Sequence, residues 1–407
     1  MKIDMISEHA SPLAPIGGVD AGGQNVHVAE LARALGRRGH DVVVHTRRDA
    51  PDLPDRVVAA PGVTVEHVPA GPARPVPKDD LLPYMPAFGD HLARRWARRR
   101  PDVAHAHFWL SGLAARHGAA VEPVPLLQTF HALGHVKRKY QGAKDTSPPL
   151  RTRAEAELAG DVAMVIATCS DEVGELRAMG LSAERAAVVP CGVDLGRFTP
   201  RGPRARRGAR PRLLSIGRLV ERKGVQTVIR ALREVPDAEL IVAGGPPGEQ
   251  AHADPDVARL RTIAQRCGVA DRVRFLGQVP RSEVPALFRS ADLVVSVPWY
   301  EPFGIVPVEA MACGTPVVVS AVGGHLDTVV EGETGCFVPA RCSDALAARL
   351  RELLAAPAAR AEMGRAGARR ARAGYGWDWI AEQTEALYQE VAVRPLPGPA
   401  ELSGAVT

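Results

Sequence analysis

Apolar positions along the chain fall into short runs rich in Val, Ile and Leu, separated by longer stretches in which they recur every three or four residues. The runs at Asp41–Val44, Val103–His107, Pro125–Thr129, Ala163–Thr168, Arg212–Ile216, Glu239–Ala243, Val273–Leu276, Asp292–Val297 and Pro316–Val319 are bounded by Gly, Pro or Asp and read as strands. Strands alternating with helical stretches predict βαβ units and parallel sheets. In Gln24–Leu35, residues Val28, Leu31, Ala32 and Leu35 fall at i, i+3, i+4 and i+7, the spacing of one helical face, and Gly36 and Gly39 then interrupt the pattern. The last periodic segment, Trp377–Val391, places Trp377, Ile380, Ala381, Thr384, Tyr388 and Val391 on one stripe that needs a cover.

A chain of 407 residues exceeds one ordinary core, so two α/β domains are expected. Residues 201–211, RGPRARRGARP, carry no apolar anchor and read as a linker or as a solvated loop just inside the second domain. The expected division is 1–200 for the first domain and 210–376 for the second, with 377–392 packing back on the first. The tail from Arg394, with three prolines, reads as loose.

Composition narrows the class. Hydrophobic residues make up 46% and charged residues 24%, which is globular and excludes a disordered chain. A net charge of +5 suits an anionic small ligand and does not call for nucleic acid. Six cysteines, with no C-x-x-C pair, read as reduced thiols of a cytoplasmic protein. Lys2, Asp4 and Glu8 interrupt any signal-peptide core, and no apolar run approaches the ~20 residues of a membrane span. The basic stretch His91–Arg100 has the look of a membrane-surface helix, yet its large apolar residues are Leu92 and Trp96, and burial of Trp96 is the simpler account.

Three segments carry chemistry. Gly17-Gly18-Val19-Asp20-Ala21-Gly22-Gly23-Gln24-Asn25 opens a helix, where glycine N–H groups can approach an anion; it is neither a P-loop nor a G-x-G-x-x-G fingerprint, and a plain flexible turn is the alternative. In Ser215-Ile216-Gly217-Arg218-Leu219-Val220-Glu221-Arg222-Lys223-Gly224, a strand ends at a glycine and Arg218 and Lys223 follow, where two cations could hold a diphosphate or simply line a solvated loop. In the segment from Pro298 to Pro316, Glu301 lies in a Pro/Gly loop and Glu309 follows among apolar residues of a helix, so its charge faces either a ligand hydroxyl or a salt-bridge partner. His131 follows a predicted strand, where either a structural or a ligand-facing role is open. His105 and His107 alternate along another strand, as two zinc ligands could, but no third ligand at credible spacing accompanies them and a strand face lining a cleft is favoured.

Taken together, Glu-x7-Glu, the G-R-x4-K-G segment and the leading glycine loop resemble the family 4 retaining glycosyltransferases, in order from about Ile3 to Val391. The similarity is greatest to the branches of the sucrose-phosphate synthases and of the inositol-phosphate glycosyltransferases of mycothiol synthesis. The resemblance implies the GT-B fold, an α/β architecture of two Rossmann-like domains facing a cleft. It implies that Arg218 and Lys223 hold the diphosphate, that Glu309 binds the ribose and that Glu301 lies against the donor sugar. Phe303, Gly304, Ile305 and Val306 would complete the donor site, with Gly22 and Gly23 over the diphosphate and His131 near the sugar. The catalytic set is then His131, Glu301, Arg218 and Lys223, with no metal and no cofactor.

On the acceptor side the resemblance points to Asn25, Lys78, Phe108, Trp109, Lys137 and Arg151. Phosphate-accepting relatives carry hydroxyls at the places of Phe108 and Ala132, whereas the run Lys137–Asp145 is more similar to the sucrose-phosphate synthase side. The expected function is transfer of a sugar from a nucleoside-diphosphate sugar, UDP-glucose or UDP-N-acetylglucosamine, to a small polar acceptor that is phosphorylated or not. A GDP-sugar donor with a lipid or secondary-metabolite acceptor is the alternative within the class. A pyridoxal-dependent phosphorylase would need a far longer chain, and a non-catalytic nucleotide-sugar-binding protein would not need Arg218, Lys223, Glu301 and Glu309 together. The partners expected are the donor and a small-molecule acceptor, without nucleic acid or membrane, with a homodimer as an open option.

Overall fold

The computed structural model describes residues 1–14, 22–248 and 250–394, which divide into two compact units, Met1–Gly192 with the segment from Trp377 onward, and Val193–Gly376. The chain leaves the first unit a few residues before the basic segment 201–211, which belongs to the second unit: the Ala205 N–H donates to Ala286 O, and Arg207 pairs with Asp292 at 2.8 Å.

Among the described residues the first unit contains one sheet of eight strands: β1 (Lys2–Ile6), β2 (Asp41–Arg47), β3 (Arg56–Ala60), β4 (Val63–Val68), β5 (Val103–His107), β6 (Leu126–Thr129), β7 (Met164–Ala167) and β8 (Ala186–Val188). Their spatial order is β3-β4-β2-β1-β5-β6-β7-β8, parallel except for the β3–β4 hairpin. β1, β3, β4 and β8 lie outside the runs read from sequence. β1 carries Lys2 and Asp4 within five residues, and β3 is half-exposed at an edge, so neither shows an unbroken apolar run.

Helices cover both faces. The helix Gly23–Arg37 buries Val28, Leu31, Ala32 and Leu35 against β1, β2 and β4. Trp377, Ile380, Ala381, Tyr388 and Val391 of the helix Trp377–Ala392 enter the same core, so the stripe seen in the sequence is covered by the first unit. Arg37–Asp378 at 2.7 Å and His40–Glu385 at 3.2 Å flank that contact. On the opposite face the helix Met85–Arg98 buries Trp96 completely, its indole N–H donating to Asp4 Oδ2 at 2.9 Å. The basic residues around Trp96 therefore surround a core anchor.

The second unit contains, among the described residues, a six-stranded parallel sheet: β9 (Arg212–Ile216), β10 (Glu239–Ala243), β11 (Val273–Gly277), β12 (Leu293–Ser296), β13 (Val317–Ser320) and β14 (Gly335–Val338), in the order β11-β10-β9-β12-β13-β14. Leu213, Leu240, Val242, Leu293, Val295 and Val318 form its core with Val228, Ile229, Leu260 and Leu350 from the helices. None of the helices among the described residues is long and apolar enough to cross a membrane, and the six cysteines are free thiols.

Candidate active site

In the second unit the strand order reverses between β9 and β12: the chain runs outward through β10 and β11, then begins again at β12 and runs the other way. Loops leaving the carboxyl ends of β9 and β12 diverge at such a point and leave room for a ligand. Arg218 stands exposed just after β9, and a single turn, Glu221–Lys223, sets Arg222 and Lys223 beside the loop that follows β12. Gly224 permits this approach. Its φ is 76°, and a Cβ there would lie 2.0 Å from Val297 O. The Trp299 N–H donates to Arg222 O at 2.8 Å, which ties the two loops, and the Arg222 guanidinium sits 5.1 Å from the Tyr300 ring centroid.

Lys223 Nζ donates to Glu301 Oε2. The loop after β13 backs this pair: a Cβ on Gly323, whose φ is 47°, would lie 2.2 Å from Glu301 O, and the Gly324 N–H donates to the same carbonyl at 2.9 Å. His325 follows, fully buried. Its Nδ1–H donates to Ser320 O at 3.0 Å, and its ring lies against Gly304. Burial works to raise the Glu301 carboxyl, but Lys223, His325 and Arg222 outweigh it and hold it below its ordinary value. Burial lowers Lys223 despite Glu301, and lowers His325 likewise. The site thus holds an ionised carboxylate among fixed cations.

The helix Ile305–Ala312 begins at Gly304, so its first N–H groups open onto this strand end beside the partly exposed Ile305 and Val306. Glu309, 2% exposed on that helix, accepts from Arg281. Burial raises its carboxyl and Arg281 opposes the shift. Phe303 packs its ring 6.1 Å from that of Tyr375 and is buried, so its side chain supports the loop. Arg281, His325 and Arg222 were not singled out by the sequence reading. The glycine pair Gly323-Gly324 at a strand end was the available signal for His325; for Arg281 there was none.

The first unit reverses its strand order between β1 and β5. Of the glycine loop, Gly17, Gly18, Val19, Asp20 and Ala21 lie outside the described residues. Gly22 and Gly23 begin the helix, and the Gly22 N–H donates to Asn25 Oδ1 at 3.0 Å while Asn25 Nδ2 donates to Ser11 O at 3.1 Å. Asn25 is buried, and these bonds make it a brace for the helix start. His131 and Phe108, at the ends of adjacent strands, both take left-handed backbone, with φ of 61° and 81°. His131 Nε2 lies 3.0 Å from His107 Nδ1 and its ring meets His27, while the His107 ring lies against His105. His105 and His107 thus meet other histidines, Tyr388 and Thr129 on the strand face.

Two residues read as acceptor contacts lie buried. Trp109 is 2% exposed in the core beneath β5. Arg151 is equally buried: its Nε donates to Glu155 at 2.7 Å, its two terminal nitrogens to Ser147 Oγ at 3.2 Å and Ala132 O at 2.5 Å, and Phe108 covers it with a ring centroid 4.9 Å away. Three of its five N–H groups are engaged in these bonds, which hold the turn after His131. Lys137 bonds Ser147 Oγ at 2.9 Å and Asp145 at 2.8 Å, and Lys78 lies 3.9 Å from Asp79.

A cluster with metal-like proximity, His45, Glu66 and His91, lies elsewhere in this unit. Asp4 takes His45 at 2.9 Å, and Arg56 and Arg95 meet Glu66 at 3.2 and 3.4 Å, so the group reads as a charge-paired network. Burial tends to raise the Glu66 carboxyl, but the hydrogen bond from His91 and the charges of His45 and Arg95 bring it to about 2.

Comparison with known proteins agrees over both units. Residues 21–197 match the family described as Glycosyltransferase Family 4, and residues 199–370 match Glycosyl transferases group 1. The chain is 38% identical to a D-inositol 3-phosphate glycosyltransferase of Xylanimonas cellulosilytica over 97% of each chain, and 38% identical to that of Kineococcus radiotolerans over 95% of each. A sucrose-phosphate synthase structure from Thermosynechococcus elongatus superposes with a TM-score of 0.87 at 32% identity, covering 96% of this chain and 98% of that one. Anabaena HepE in complex with UDP and glucose shares the fold, with a TM-score of 0.73 at 20% identity over 96% of this chain and 100% of its own. With two parallel α/β units, the cation-flanked strand ends and this full-length similarity, the chain belongs to glycosyltransferase family 4 and is a retaining glycosyltransferase of the GT-B fold.

Proposed function

We propose that the chain transfers glucose or N-acetylglucosamine from its UDP conjugate to a hydroxyl of a small cyclitol or sugar acceptor, in the cytoplasm and without a metal. The observation that carries this reading is the convergence of Lys223 and Arg222 on Glu301, with Arg218 near Lys223, at the switch point of the second sheet. Departure of a nucleoside diphosphate develops negative charge on the oxygen that leaves the anomeric carbon. Fixed cations in a partly buried site stabilise that charge. Phosphate oxygens replace Glu301 as the partner of Lys223 Nζ, which frees the carboxylate for a sugar hydroxyl. Glu309 takes the ribose hydroxyls, and His131 meets the sugar.

Retention then follows a same-face route in this reading. The bond from the anomeric carbon to the diphosphate oxygen breaks, the acceptor oxygen bonds to the same face, and the acceptor proton passes to the departing diphosphate. A double displacement needs a carboxylate placed under the anomeric carbon. Glu309 is committed to Arg281, and Glu301, once phosphate has taken Lys223, fits a sugar-hydroxyl contact better than a nucleophilic role.

The acceptor named by the curated relatives, D-inositol 3-phosphate, heads the acceptor panel, and the synthase-like structure adds sugar phosphates. The test is a thermal-shift comparison of UDP, GDP and ADP, followed by mass-spectrometric detection of products from the winning nucleotide's sugars. Stabilisation by UDP and a glycosylated cyclitol or sugar support the reading. Stabilisation by GDP alone, or binding with no transfer to any acceptor, overturns it.

A further inference from the structure

Four buried or half-buried histidines meet in the first unit, and their hydrogen bonds fix where the protons sit. His105 is the starting point. The Thr129 hydroxyl donates to Ile166 O at 2.9 Å, so its single hydrogen is spent. His105 Nε2, 2.9 Å from the same hydroxyl, must therefore be the donor, which leaves Nδ1 to accept from the Tyr388 hydroxyl at 2.7 Å.

The pair His107–His131 is decided by a cost. His107 Nδ1 and His131 Nε2 are 3.0 Å apart and share one proton. His107 is fully buried, and among the described residues its Nε2 has no partner. A proton on that Nε2 would be an orphaned N–H, costing about 1–3 kcal/mol, and buried donors are left unpaired less often than acceptors. His107 therefore carries its proton on Nδ1 and donates to His131 Nε2. Burial, with neighbouring histidines adding to it, pushes both rings well below the usual imidazole range, so each holds one proton. The proton of His131 then sits on Nδ1, on the one ring of the four that is partly exposed.

The backbone over-determines this geometry. His131 and Phe108 both hold left-handed φ, a conformation that persists where surrounding bonds enforce it. Here the Phe108 N–H donates to Thr129 O at 2.8 Å, and Gln128 Nε2 bridges Phe108 O at 3.1 Å and Thr129 O at 3.0 Å. His27 packs edge-on to His131 at 5.1 Å between centroids and closes the far side.

We propose that His107 is a positioning residue that holds His131 as the Nδ1–H tautomer, so that His131 serves the reaction as a hydrogen-bond donor to a substrate oxygen and not as a proton acceptor. The inference rests on the reading above only in assigning His131 to the substrate. The tautomer itself is independent of any substrate.

The experiment is 15N–1H multiple-bond NMR on the full chain with 15N-labelled histidine, assigned through His131→Ala. The expected spectrum shows His131 with a pyrrole-like Nδ1 and a pyridine-like Nε2. His107→Phe should return His131 to the Nε2–H form and lower kcat at least about tenfold with donor KM little changed. His107→Asn, whose amide nitrogen falls near the place of Nδ1, should restore the tautomer and most of the rate. An Nε2–H signal for His131 in the unaltered protein overturns the proposal even if His107→Phe does not fold. Unchanged kcat in a folded His107→Phe also overturns it. An Nδ1–H signal in a protein that transfers no sugar would instead sink the functional reading while leaving the tautomer assignment standing.

Discussion

Lys223 Nζ donates to Glu301 Oε2, joining the loop after β9 to the loop after β12 by an ion pair whose side chains are 25% and 14% exposed. Neither charge is fully solvated, so each depends on the other until phosphate arrives. Lys223→Ala should weaken nucleoside-diphosphate binding at least several-fold, since a charge-assisted contact contributes about 1.5–3 kcal/mol. It should also cost some stability, because Glu301 is left partly buried without its cation. Isothermal titration with UDP, together with a thermal melt, checks both. Unchanged UDP affinity in a folded variant would remove Lys223 from the diphosphate site.

Glu301→Gln keeps the shape of the side chain and removes its charge. If Glu301 positions the sugar, kcat should fall by about tenfold or more while the chain stays folded. No glycosyl-enzyme adduct should accumulate with a slow fluorinated donor. Peptide mass spectrometry of the unaltered enzyme after that donor is the check, and a sugar found on Glu301 would replace the same-face route by double displacement.

Arg281 and Glu309 form a second pair, with Glu309 2% exposed. Removing one partner of a buried pair costs about 3–5 kcal/mol, because the other charge is stranded. Arg281→Met should therefore destabilise the protein markedly, and adding Glu309→Gln should recover part of the loss. A double-mutant cycle by urea unfolding measures the coupling. Additive losses would show that the two side chains do not depend on each other.

Glu172 sets a pH window. Burial raises its carboxyl to about 7, against hydrogen bonds from the Thr168 N–H and hydroxyl. The folded state holds the proton that the unfolded state releases near 4.5, so stability falls as pH rises from there to about 7, by about 3 kcal/mol in all. Glu172→Gln should flatten that part of the profile and raise the urea midpoint at pH 8 more than at pH 5. Parallel profiles for the two proteins would show that Glu172 ionises normally in the fold.

The sequence alone determined the two α/β units and most of their strands, because a strand covered by helices must be apolar nearly throughout and such runs stand out from the amphipathic stretches between them. It also marked Glu301 and Glu309, since a carboxylate set in a Pro/Gly loop or among Val, Ala and Met is costly without a purpose. What the tertiary structure decided is which groups those charges meet. Arg281 reaches Glu309 across 28 residues and His107 reaches His131 across 24, contacts made by strand order and helix docking rather than by any local spacing. The same applies to Arg151 and Trp109: a cation or an indole in a basic, aromatic stretch reads as a ligand contact, and only the packed core shows that each is buried and which groups it bonds or packs against. Periodicity is a property of the chain, whereas hydrogen-bond partnership and burial are properties of its neighbours in space.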